Sequence, residues 1–186
     1  MPTPWLKRIR DTGQLTVFNK GGAWADSVIT AIATFNTLPF PVELVAGKDE
    51  KSANVVVILA NGPQQYTREG YTVQPDARFQ FDQFTGETIT LTDKRLNAMF
   101  FAVTFLPGKL PKPSEGQKCV MIVHEFIHAC GVPEHERTGI MYDIMVPSNG
   151  GLQEGDKQGK PMPPIRVGPA TLDRVNRVWL PIETSL

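Results

Sequence analysis

His124-Glu125-Phe126-Ile127-His128 lies inside a segment that carries the marks of a single helix. Ser114-Glu115-Gly116-Gln117 has the form of a capping box, with Ser114 at the N-cap and Gln117 at the third helical position. Gly131 offers the left-handed residue that ends a helix begun at Glu115 and run to about Cys130. On that helix His124 and His128 stand one turn apart and project from the same face. The spacing lets two imidazole nitrogens reach one ion at ~2.0–2.1 Å. Glu125 is offset around the helix, so it can stand beside a metal without binding it and act as a base toward a water there.

A bare HExxH pattern arises by chance in roughly one in a few hundred chains of this length, so the pattern alone decides little. Its weight comes from the surroundings. The chain has three histidines, and all of them fall between positions 124 and 135. A helix with two partly buried histidines and a surface glutamate would not explain that clustering. A purely structural zinc site would close its fourth position, usually with a thiolate, and Cys130 beside the turn is poorly placed to supply it.

Upstream, Leu15–Phe18 reads as a strand, Ala23–Asn36 as a helix ended before Pro39 and Pro41, and Val42–Val45 as a strand. Asn54–Leu59 is a continuous β-branched run, as expected of a strand covered on both faces. This order suggests a mixed sheet with a helix packed across it. Residues 61–76 read as a surface loop. Phe79 and Phe81, then Ile89 and Leu91, alternate on either side of Thr85-Gly86 and suggest a hairpin. Residues 94–106 suit a helix by the spacing of Leu96, Met99, Phe100 and Val103, and a strand by their Phe and Val content; both readings stand. A last helix is expected over 169–180, with Leu172, Val175 and Val178 on one face.

At 186 residues the chain fits one domain, or two lobes sharing a cleft. Its nineteen basic and nineteen acidic residues cancel, and no apolar run approaches the ~20 residues of a membrane span. Neither feature points to nucleic acid or membrane as a partner, and a monomer is expected. No signal-peptide pattern follows Met1. Cys119 and Cys130 lie about three helical turns apart, roughly 16 Å at ~1.5 Å per residue, too far for a disulfide. Free thiols favour a reducing, cytoplasmic setting.

The stretch from His124 through Gly131 to His135 resembles the extended zinc signature of the metzincin metallopeptidases, HExxHxxGxxH. Gly139-Ile140-Met141-Tyr142 resembles the methionine turn that follows it, with Met141 as a packing residue and Met145 as an alternative. The usual third ligand falls at Glu134, and His135 comes one residue later. Either the chain bulges at Val132-Pro133 and His135 binds, which is favoured because neutral imidazole is the better-matched ligand, or Glu134 binds. The resemblance implies an α+β fold in one catalytic domain. A mixed twisted sheet with packed helices would form an upper lobe of about 1–131. A small irregular lower lobe of about 132–186 would end in a helix. It implies Zn2+ held by His124, His128 and His135, with Glu125 as general base in peptide-bond hydrolysis. A peptide or protein substrate would lie along an edge strand within 88–92, and residues 147–164 would wall the specificity pocket. A zinc-dependent amidase or deamidase and a non-catalytic binding module are the alternatives.

Overall fold

The computed structural model describes residues 2–135 and 165–180. A single helical turn, α1 (Lys7–Arg10), precedes β1 (Gln14–Lys20). A 3-10 turn, Gly22–Trp24, leads into α2 (Ala25–Phe35), and β2 (Glu43–Ala46) and β3 (Val55–Ala60) follow. Next come β4 (Tyr66–Arg68), β5 (Tyr71–Val73), β6 (Glu87–Asp93) and β7 (Ala98–Pro107). The helices α3 (Glu115–Ala129) and α4 (Pro169–Trp179) complete the described elements. The fold is α+β with a mixed sheet.

Five strands form that sheet in the order β2-β1-β3-β7-β6. The first four run parallel, and β6 lies at the edge, antiparallel to β7. The period-two alternation of β3 shows why its sequence is apolar throughout. Val55 and Val57 enter a core shared with α2, α3 and α4, and Val56, Ile58 and Ala60 enter a second core on the opposite face. The same split divides β7, where Ala102 and Leu106 face the helices and Phe101, Val103 and Phe105 face away. Residues 98–107 are thus a strand. The helical spacing seen there arises because both faces of this central strand are buried, while Leu96 is exposed in the turn before it.

Two local expectations are corrected. The segment 61–76 holds the β4–β5 hairpin, whose turn residues Glu69 and Gly70 both have positive φ, 51° and 81°. No hairpin forms about Thr85-Gly86. Ile89 and Leu91 belong to β6, which pairs with the later strand β7, while Phe79 and Phe81 meet edge to face at 5.2 Å beside the second core. Along β6 the alternation Thr88-Ile89-Thr90-Leu91 sends the apolar side chains to that second core. Its threonines are left on the side of α3.

Helix α3 is buried along most of its length and carries the capping box: the Ser114 hydroxyl accepts from Gln117 N at 3.1 Å, and Gln117 Oε1 accepts from Ser114 N at 3.0 Å. Its other end is closed by distant parts of the chain. The Ala129 carbonyl accepts from the Trp5 indole at 2.9 Å, and the Cys130 carbonyl accepts from the Trp179 indole at 3.0 Å. The Gly131 carbonyl accepts from Thr3 N at 3.0 Å. Carbonyls that a helix end leaves without partners are therefore all taken. Two of the chain's three tryptophans serve this end of one helix.

Candidate metal centre

The last two turns of α3 present His124, buried, and His128, half-buried, side by side, with their Nε2 atoms 3.1 Å apart. Helix α3 stops at once beyond them. Gly131 takes φ of 100°, a conformation that a side chain opposes, and a Cβ there would collide with the Thr3 carbonyl oxygen. The reversal brings the chain back through Val132 and Pro133. His135 Nε2 then comes to 3.0 Å from His124 Nε2 and 3.3 Å from His128 Nε2.

Three imidazole nitrogens converge on one point, and the group can hold a metal ion. Ideal tetrahedral ligation at ~2.0–2.1 Å separates ligand nitrogens by about 3.3 Å, close to the spacing found. His128 is already set in the binding tautomer: its Nδ1–H donates to the Val132 carbonyl at 2.7 Å, which leaves the lone pair on Nε2. Burial lowers the pKa of His128 to about 4, so it stands neutral and ready to ligate. Desolvation also lowers His135. A neutral three-nitrogen set of this spacing suits zinc and other borderline ions.

Between Gly131 and His135 the chain passes Val132, fully buried, whose carbonyl orients His128. Glu134 is half-buried and stands outside the histidine group. Cys130 is fully buried, and burial pushes its thiol far above the ordinary range, the opposite of what a thiolate ligand needs. Both cysteines are free. Met141, Met145 and the segment 147–164 lie outside the described residues.

Glu125 is buried in the same cleft, which has a volume of about 440 Å³. The three histidines line it together with Thr88 and Thr90 of β6 and the Gly131 turn. Burial raises the Glu125 carboxyl to about 8, against the hydrogen bond from Thr88, and the neighbouring Glu87 charge adds to the rise. Thr88 Oγ1 lies 2.7 Å from Glu125 Oε2. Gly86 leaves room for the carboxyl: a Cβ there would fall 2.6 Å from Glu125 Cγ. Thr88 falls in the stretch 88–92 expected to border substrate, but neither its contact with Glu125 nor that of Gly86 has a counterpart in the residue pattern. The one available signal was Thr104, the single polar residue in the apolar run 98–107, which bonds to Thr88 at 3.0 Å.

No helix among the described residues is long and apolar enough to cross a membrane. No protein-family model matches the chain, and no curated protein matches it in sequence.

Two measurements follow from this geometry. His135→Ala should lose zinc affinity by about tenfold or more in titration calorimetry, while Glu134→Ala keeps one zinc per chain; the reverse pattern would assign the third bond to Glu134. The second concerns stability without metal. Between about pH 4.5 and 8 the folded protein keeps on Glu125 a proton that the unfolded chain has released. That contribution to stability is therefore lost as pH rises through the window. His128 acts with opposite sign, adding stability as pH rises from about 4 to 6.5, so the difference between wild type and Glu125→Gln isolates the glutamate. The melting temperature of wild type, relative to Glu125→Gln, should fall toward the alkaline end; parallel curves would contradict the assignment.

Proposed function

We propose that this chain is a metzincin-like zinc endopeptidase that hydrolyses peptide bonds in extended substrates. The observation that carries the reading is one cleft that holds a three-histidine group, a buried glutamate and a sheet edge together. His124, His128 and His135 would hold the ion, leaving a coordination position open. Zinc bound there would supply a Lewis acid that lowers the pKa of a water and polarises the scissile carbonyl.

The chain's own groups account for the rest. Glu125 is the only carboxylate on α3 that enters the cleft, placed to take a proton from water and return it to the leaving amine. A cation beside it would favour the ionised form, so the bound state would hold the carboxylate ready as a base. Among the described residues β6 pairs only with β7, so its outer edge offers free N–H and C=O groups. An extended peptide adds to such an edge as a further strand, with main-chain bonds giving affinity. Its Thr88 and Thr90 border the cleft, so a peptide along this edge runs past the histidines. This is the arrangement that the resemblance at His124–His135 leads one to expect, with the edge strand beside the metal helix.

The test is Glu125→Ala. Cleavage of casein should fall by about 10²–10⁴-fold while zinc stoichiometry stays near one. Undiminished cleavage would refute the mechanism. Cleavage of small amides by the wild type, with unstructured protein left intact, would favour an amidase.

A further inference from the structure

We propose that Thr88 is a positioning residue for Glu125, its hydroxyl holding the carboxylate in the one orientation that the base requires; this rests on the function proposed above. The chain of contacts begins in the core. Thr104 is fully buried, in a strand whose other nine residues are apolar. A hydroxyl in such a place is unfavourable unless it is bonded. Register places Thr104 directly across from Thr88, and the two oxygens are 3.0 Å apart. Thr88 Oγ1 in turn lies 2.7 Å from Glu125 Oε2 and 3.1 Å from the Glu125 carbonyl oxygen.

The direction of these bonds follows from what each atom can do. When Glu125 is ionised, its carboxylate and its carbonyl only accept, so the single Thr88 proton points toward Glu125. Thr104 must then be the donor to Thr88. The result is a directed relay of hydroxyls, Thr104 to Thr88 to Glu125, anchored in the buried interior strand β7. The carbonyl at 3.1 Å adds a second acceptor, so Thr88 keeps a partner for its proton when the carboxyl carries one of its own.

Gly86 holds the opposite flank. A Cβ there would stand 2.6 Å from Glu125 Cγ and 2.8 Å from Oε1, and its backbone is not in the left-handed region, so space alone explains the glycine. One carboxylate oxygen is thus bonded by β6 while the other faces the backbone just before it. Glu125 is buried and has little freedom to turn elsewhere.

Two readouts test this. With casein as substrate, Thr88→Val should lower kcat by about 10–100-fold and leave KM within about twofold. Zinc stoichiometry should stay at one. Thr88→Ser, which restores the hydroxyl, should recover kcat to within about threefold. The second readout needs neither metal nor turnover. In zinc-free protein the isotope-labelled carboxyl carbon of Glu125, assigned by its loss in Glu125→Gln, should shift in Thr88→Val and return in Thr88→Ser. Gly86→Ala pushes the carboxylate off Thr88 without altering either threonine, and should give the same loss of kcat and the same class of shift. An unchanged kcat or an unmoved resonance in Thr88→Val, or no rescue by serine, overturns the positioning role. A wild type that cleaves nothing refutes the proposed function instead, and the resonance then decides the role of Thr88.

Discussion

The structure depends on an abrupt stop. Helix α3 must present two histidines on its last turns and then reverse, so that the chain can return a third within about one residue's reach of them. Gly131 makes the reversal possible by accepting φ of 100°. Its tight approach to Thr3 makes the N-terminal segment part of the same construction. A helix end this deeply buried would leave carbonyls without partners, a penalty of about 1–3 kcal/mol each. Trp5, Trp179 and the Thr3 backbone remove it by donating to the Ala129, Cys130 and Gly131 carbonyls. Residues from the start of the chain and from α4 thereby fix where the third histidine can go.

Electrostatics follow from the same burial. Taking His128 and Glu125 out of water pushes both toward neutrality, one with its pKa lowered and the other with it raised. Neutral imidazoles are the form that binds a metal, whereas a neutral carboxyl is the wrong form for a base. A cation at the histidine group would resolve the conflict, leaving the ligands neutral while favouring ionisation of the glutamate beside them. Burial alone would make the proposed active site a poor one. With a metal bound it would become poised.

Features governed by local spacing were legible in the residue pattern. The capping box at Ser114, the C-terminal glycine at 131 and the shared face of His124 and His128 are all short-range rules, and α3 obeys them. His135 was legible less directly, because an extra residue separates it from the usual position. The Val132 carbonyl, on the path between Gly131 and His135, orients His128. Features that depend on which segments pair were not legible. Ile89 and Leu91 looked like strand partners of Phe79 and Phe81, yet β6 pairs with β7 across residues 94–97, and the four side chains meet in the second core instead. The strand β7 itself imitated a helix because both of its faces are apolar. Thr88 and Gly86 carried no motif, as their importance comes from a contact with Glu125 across separate elements.

In the proposed site three histidines, and no thiolate or fourth protein group, would hold a zinc ion open to solvent. X-ray absorption at the zinc edge of the loaded protein reads this directly. Three nitrogen scatterers with imidazole character at ~2.0–2.1 Å, one further light atom and no sulfur shell are expected. A sulfur shell near ~2.3 Å, or fewer than three imidazoles, would contradict the proposed site.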